Sequence, residues 1–534
     1  MGLTIWDIVV LVLYMLAMAW MGIYFSKKNR DTEQYFVGGR RFAGWVVGLS
    51  LVGTSISSVT FLAFPADAFK TTWLRFLPNF GLPVAVLIAV MVFLPIFRKR
   101  RMTSAYEYLE YRFGPSVRAY GAFAFILGQV FRLSIILYLV SLLLHEMSGW
   151  NLALCIVVCG VFVAFYTVVG GIDAVIWTDV IQTLVLVVGG MVCLAVIVYK
   201  LPGGLGEIFS TAMADHKLSI ADMQSDGSMA PVNWNLSLTS KTGTMMLLLG
   251  VIAYLTEYCG NQNTVQRYAA ARSTSEARKA MFVCAMASLP IWAFYMFIGT
   301  ALYVFFKHFP TMETTEMLSG VRKPEQVLPF FIIHYLPPGV TGLVIAAAVA
   351  AAMSSLDSSI NAISAVGVTD FYKRHFAKTK SERHYLQVAW GLATTAGVAM
   401  IAGALFLAQT DAKTLQDAAS IITSLLGAGL FGMYALGFFT RRGDAMAVWI
   451  GIVFTVLFTA WTVIAAKKPD MLPQSLAVPF DLYYTGMIGN LILFTVGFLV
   501  GTLRPQRQQQ SLDNLTVWDR STQSDQPVIT DSIF

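Results

Sequence analysis

Apolar residues in this chain come in long continuous runs, not in alternation with polar ones. A helix needs about 20 predominantly apolar residues to cross the hydrocarbon core of a bilayer. Thirteen runs suit that role: α1 (Thr4–Phe25), α2 (Phe42–Phe64), α3 (Phe76–Phe97), α4 (Ala119–Leu144), α5 (Leu152–Val169), α6 (Ile172–Tyr199), α7 (Thr242–Tyr258), α8 (Ala280–Phe306), α9 (Gly339–Tyr372), α10 (Tyr385–Leu407), α11 (Leu415–Phe439), α12 (Ala445–Ala466) and α13 (Leu482–Leu503). The pattern predicts an all-α integral membrane protein. A membrane β-barrel would alternate apolar and polar positions over short strands. α1 lacks a basic leader and a following small-residue cleavage site, so it reads as a retained helix.

Polar residues interrupt five of these runs. In α2, Gly53, Thr54, Ser55, Ser57, Ser58 and Thr60 crowd the middle, and Pro65 follows. Small hydroxyl residues let helices pack closely in lipid. They also suit a helix that unwinds midway, where freed carbonyls bind a cation and half-helix ends face a substrate. α7 runs into LTEYCGNQNTVQRY, with Glu257, Asn261, Gln262, Asn263 and Gln266 around a potential break at Gly260. Those beyond Gly260 either line the broken helix or lie in a loop. In α9, Ala351, Ser354, Ser355 and Ser358 share one face by their i, i+3, i+4, i+7 spacing, and Asp357 sits beside them. Hydroxyls and a carboxylate make a hard-oxygen surface suited to Na⁺, by analogy with other hard cations. Serine-mediated packing is the alternative, but a carboxylate mid-helix costs about 2.5–3.5 kcal/mol even on the lenient insertion scale. In α6, Asp179 lies at a depth similar to Asp357, so the pair can share a cation or a proton. Arg132, at the centre of α4, requires an anionic partner, either a protein carboxylate such as Glu257 or one on a substrate.

Composition and charge narrow the class. Of 534 residues, 57% are hydrophobic and 13% charged. About a quarter are charged in soluble domains, so a soluble core is excluded. With the N-terminus outside, the inner loops and tail hold 25 Lys and Arg and the outer loops 11; Arg132 alone falls in no loop. The positive-inside rule then puts the N-terminus out and the C-terminus in, which an odd number of spans matches. The net charge of +7 follows from this bias toward an anionic leaflet, so nucleic acid is not an expected partner. The five cysteines have no metal or disulfide spacing, and the six histidines lie near helix ends or in loops. There is no Walker motif, so ATP is not the expected energy source. The stretch 504–534 is polar and reads as a disordered cytoplasmic tail. A channel would need a continuous polar pore, whereas the polar residues here cluster mid-helix. A membrane enzyme would need a metal or a nucleophile–base set.

Three motifs carry a resemblance to the sodium:solute symporter family: YTVVGGIDAVIWTDVIQ (Tyr166–Gln182), NQNTVQRY (Asn261–Tyr268) and AAAMSSLDSSINAIS (Ala350–Ser364). The resemblance implies a LeuT-type fold with two inverted five-helix repeats (residues 42–199 and 242–439). α1 (4–25) and the pair α12–α13 (445–503) would be peripheral in a single domain spanning 1–503. It further implies a sodium site at Gly53, Ile56, Ala351, Ser354 and Ser355. A second site would use Asp179, Ser354 and Ser358, with Asp357 standing where some members carry a hydroxyl.

Within the family the chain is most similar to bacterial sialic acid transporters, through Ser55–Phe61, Arg101–Phe113, Arg132 and VIWTDVIQ. This implies substrate contacts from Ser55, Ser57, Thr60 and Arg132. Asn79 replaces a glutamine, and Arg75 stands where an aromatic is expected; both would reshape the outer pocket. The expected protein is a sodium-coupled symporter of the bacterial inner membrane, working as a monomer with one or two Na⁺ and importing a small acidic sugar such as sialic acid. A neutral-sugar or monocarboxylate symporter, or an ion channel, is the alternative.

Overall fold

The computed structural model describes residues 3–223, 229–409, 427, 429–467, 473, 476–504 and 512–518. Among them, ten helices are long and apolar enough to cross a membrane, or eleven with the bent α2 counted as one span. The expected number was thirteen. The differences lie at α5–α6 and at α11. Residues 415–426 of α11 lie outside the described set, and its described part is the helix Leu430–Phe439.

α5 and α6 follow one another without a loop over Leu152–Lys200, a run of 49 residues. As one straight helix it would be about 74 Å long at about 1.5 Å per residue, more than twice the roughly 30 Å hydrocarbon thickness. It breaks at Gly171, at φ 64°, ψ −161°. Only glycine reaches that conformation without strain. A Cβ there would also meet the Tyr35 ring at 2.7 Å.

The two helices that open the proposed repeats are both broken. α2 consists of Gly44–Ser55 and Ser58–Lys70, joined through Ile56 in extended conformation and bent by 56°. α7 consists of Gly243–Gly260 and Gln262–Ala270, joined through Asn261, also extended. Asn261 caps the second half by accepting the Asn263 N–H at 3.0 Å, the usual role of Asn at a helix start.

α9 (Val340–Val366) is the axis of the bundle. Every residue from Val344 to Val366 is buried, the polar ones included. It packs against α5–α6, α4 and α1, so its polar face meets protein, not lipid. Asp7 of α1 pins its start: Oδ1 accepts the N–H groups of Gly339 and Gly342, each at 2.8 Å. Downstream, α9 continues as a π-helix, Gly367–Phe376. At the periphery, α13 (Thr485–Leu503) buries only a stripe at Gly489, Leu493, Gly497 and Gly501. Small residues at four-residue spacing allow such close approach in lipid; Gly501 lies directly against the Gly443 backbone.

Part of the tail departs from the expected disorder. Leu515 and Thr516 are buried. Tyr108 Oη donates to Leu515 O at 2.9 Å, and Val517 N donates to Phe438 O at 2.9 Å. Paired backbone and an inserted leucine offset the ordering entropy that composition alone suggested would win.

Gly171→Ala should cost about 1–3 kcal/mol through strain at its backbone conformation. The readout is a lower midpoint for thermal unfolding of the detergent-solubilised protein; an unchanged midpoint would show that the break does not need glycine.

Candidate functional site

Unwinding α2 frees carbonyls. Ile56 N still donates to Val52 O at 2.9 Å, the last helical bond of the first half. Gly53 O instead accepts from Ser354 Oγ of α9 at 2.8 Å, and Ala351 O accepts from the same hydroxyl at 3.3 Å. Ser355 Oγ is buried and has no partner. Gly53 is needed for the approach of α6: a Cβ there would lie 2.9 Å from Thr183 Oγ1 and 3.2 Å from Asp179 O. Four of the five expected sodium residues thus join one oxygen cluster between α2 and α9, and Ile56 supplies the buried break beside it. The cluster is uncharged and all oxygen, which suits a hard monovalent cation. No group of three His, Cys, Asp or Glu suited to a metal occurs among the described residues.

Deeper in the bundle lies a charged cluster that the sequence placed only in part. Asp179 Oδ2 accepts from Ser50 Oγ at 2.6 Å and from Arg267 Nη2 at 2.8 Å. Arg267 also donates through Nη2 to Ser358 Oγ, through Nε to Ser50 Oγ (2.9 Å), and through Nη1 to Asn263 O (2.9 Å). The charge count had assigned Arg267 to an inner loop. It is instead 1% exposed, because the second half of α7 folds into the bundle with all nine residues buried. Asp179 and Ser358, expected to share a cation, here share a guanidinium, and Asp179 Oδ1 is left buried without a partner. Asp357 contacts Ser358 but has no bond to Arg267. Its Oδ2 accepts from Tyr166 Oη at 2.7 Å, and its Oδ1 from Ser358 N at 2.5 Å.

The expected substrate residues divide into two groups. Ser55 is exposed although it sits mid-bundle, and it touches Cys284 Sγ at 3.9 Å. Ser57 is half-buried and Thr60 buried. Arg132 is half-buried and makes no hydrogen bond or ion pair with any described residue. Glu257 is engaged elsewhere, accepting from Asn261 Nδ2 at 2.8 Å and Thr264 Oγ1 at 2.6 Å. Of the two partners considered for Arg132, the protein carboxylate is therefore not used. Arg75 and Asn79 belong to the second group, on the 3₁₀ segment Leu74–Phe80 before α3. Arg75 pairs with Asp67 at 2.5 Å and lies over the Phe64 ring. Asn79 Oδ1 accepts from Tyr254 Oη at 2.7 Å. Both have protein partners, unlike Arg132.

Ser50, Tyr166 and Arg267 went unassigned in the sequence. The signal for Arg267 was its i, i+4 spacing from Asn263 in a run already too polar for lipid. Ser50 is a single serine one turn before Gly53 and carries no such signal.

Two broken helices, an arginine that no described residue holds and an uncharged oxygen cluster are what a secondary transporter requires, and the chain is a multi-pass membrane protein. It belongs to the sodium:solute symporter family, whose model matches residues 35–456. It is 33% identical over 502 residues to the sodium/sialic acid symporter SiaT of Proteus mirabilis, covering 94% of this chain and 96% of the relative. It is 30% identical to the sodium/sialic acid symporter NanT of Aliivibrio fischeri, with 92% of each covered. Among solved structures it resembles a Na⁺-coupled sialic acid symporter captured substrate-bound and outward-open, with a TM-score of 0.83, 30% identity, and coverage of 95% of this chain and 100% of that one. The fold is thus LeuT-type, with two inverted five-helix repeats.

Breaking a buried ion pair on one side costs about 3–5 kcal/mol, because it strands a charge. Asp179→Asn should therefore reduce the yield of folded protein, and Arg267→Gln should do likewise. The double variant should recover most of the loss, as read by monodisperse yield on size-exclusion chromatography. Full additivity of the two losses would show that the residues are not coupled.

Proposed function

We propose that this chain imports an acidic sugar, N-acetylneuraminate, coupled to Na⁺ entry by alternating access. The observation that carries the reading is Arg132: a guanidinium within a membrane helix, half-buried, with no protein carboxylate or other described residue to hold it. Leaving such a charge unpaired in a membrane is costly unless a ligand completes it. A carboxylate fits the guanidinium bidentately.

In this reading Na⁺ binds first, on Gly53 O, Ala351 O, Ser354 Oγ and Ser355 Oγ, with the Ile56 break holding the carbonyls in place. Ser355 Oγ, buried without a partner, supports the assignment, because a buried hydroxyl is seldom left unsatisfied. The sugar then docks on Ser55, Ser57 and Thr60 of broken α2, with its carboxylate on Arg132. Arg75 and Asn79 border the outer approach. The Asp179–Ser358–Asp357 region is the place for a second cation, which would share Asp179 with Arg267. The membrane potential drives the cycle, at about 2.3 kcal/mol per charge per 100 mV. The protein sits in a bacterial inner membrane, N-terminus outside and C-terminus in the cytoplasm, and works as a monomer.

Purified protein in liposomes should take up labelled N-acetylneuraminate under an inward Na⁺ gradient and not under K⁺ alone. Ser355→Ala should raise the half-saturating Na⁺ concentration about tenfold, the loss of one hydrogen-bond-strength ligand. Arg132→Ala should abolish uptake while leaving the folded yield intact. Uptake indifferent to Na⁺ would refute the coupling. Uptake of a neutral sugar or a short monocarboxylate in place of the sialic acid would refute only the substrate.

A further inference from the structure

One turn before Arg132, α4 carries a second polar residue, Gln129, which is 8% exposed. Its Oε1 accepts from Ser359 Oγ of α9 at 2.9 Å. Ser359 Oγ in turn accepts from Asn263 Nδ2, in the second half of α7, at 3.1 Å. In this arrangement the one hydrogen of the Ser359 hydroxyl goes to Gln129 Oε1. The amide nitrogen is thereby left to face away from α9, with two N–H donors. It makes no hydrogen bond with any described residue. It is also absent from the enclosed, unpartnered atoms, among which Asn263 Oδ1 is found, so it opens on accessible space.

Residues three apart on a helix share a face. The Gln129 amide nitrogen and the Arg132 guanidinium therefore lie on one face, and neither bonds to a described residue. One is a neutral donor and the other a charged one. An ionised carboxylate offers about four lone-pair sites, more than one guanidinium edge uses.

We propose that Gln129 is a specificity-determining residue of the transport site: its amide donates to the carboxylate-bearing end of the substrate beside Arg132, and the Ser359–Asn263 relay ties that contact to the ion-binding helix and to α7. The inference rests on the acidic-sugar reading of Arg132. It adds a consequence that Arg132 alone does not have. The amide can keep its orientation only while Ser359 and Asn263 hold their places, so a substrate that engages Gln129 also fixes α9 one residue beyond Ser358.

The test compares N-acetylneuraminate with its uncharged methyl ester, by isothermal titration of purified protein in Na⁺ buffer. Wild type should prefer the acid. Gln129→Glu keeps the size of the side chain and sets one carboxylate against another, so affinity for the acid should fall by about tenfold or more, since like charges in contact are strongly disfavoured. Affinity for the ester should change by less than about twofold. Gln129→Ala, which introduces no new charge, should weaken the acid about five- to tenfold and the ester less, because hydrogen bonds to charged groups are the stronger ones. Half-saturating Na⁺ without substrate should be unchanged in both. Equal losses for acid and ester would overturn the proposal and make Gln129 a packing residue; so would no loss for either. Wild type that binds neither ligand would overturn the acidic-sugar reading itself, a failure visible before any variant is compared.

Discussion

Gly53 O has lost its helical partner, and in a bilayer that loss has few remedies. Hydrocarbon supplies no donor, so an unpaired carbonyl is tolerated only where protein or a hydrated cavity surrounds it. Much of the architecture follows from this constraint. The break at Ile56 has to be buried, and it is fully enclosed. The helix opposite has to bring hydroxyls, and α9 brings Ser354 to Gly53 O at 2.8 Å. That helix must then be polar on one face yet shielded from lipid on every side, which is why α9 runs through the centre of the bundle. α6 must approach closely enough to close the third side, and only glycine at position 53 leaves it room.

Charge is managed by the same rule at greater depth. Asp179, Asp357 and Arg267 are all at most 1% exposed. Isolated ions would be untenable there, but each has a stated partner. Arg267 bonds to Asp179, Ser50, Ser358 and a backbone carbonyl, and Asp357 bonds to Tyr166 and the Ser358 N–H. Arg267 comes from the second half of broken α7, so the ion pair is also what fastens that half into the bundle. Arg132 is the contrast: no described residue bonds to it, which is why the proposed function gives it a ligand.

The sequence made some of this legible and concealed the rest for physical reasons. Apolar runs revealed helices because lipid-facing segments must be continuous. The breaks in α2 and α7 were legible because glycine and hydroxyl clusters are rare in helices that must stay whole. The break at Gly171 was legible too: the glycine pair 170–171 separates the two apolar runs, and the chain leaves helical geometry there. Ser354, Ser355 and Arg132 stood out as candidates because polar groups in membrane helices are expensive and therefore seldom idle. Arg267 was misplaced because counting loop charges assumes that a basic residue past a break is solvated. Its neighbours Asn263 and Gln266, both buried and both hydrogen-bonded, show why that assumption fails when a half-helix folds inward. The order of Leu512–Trp518 could not be seen at all, because it depends on Tyr108 and Phe438, which are remote in sequence.

Coupling between ion and substrate needs no long path in this arrangement. The Ile56 break has two sides: Gly53 O faces Ser354 of α9, and Ser55 faces the accessible interior, two residues away along the same chain. In the proposed cycle, a cation gathering the carbonyls on one side would restrict the backbone angles that set the hydroxyls on the other, and a sugar held on Ser55 and Ser57 would restrict the carbonyls in return. Linkage requires the two effects to be equal in free energy, typically about 1–3 kcal/mol between coupled sites. A continuous helix would hold the same residues rigidly and transmit nothing, since neither ligand would have a conformation to choose. The broken helix that the bilayer makes so expensive is thus also what would allow one ligand to sense the other.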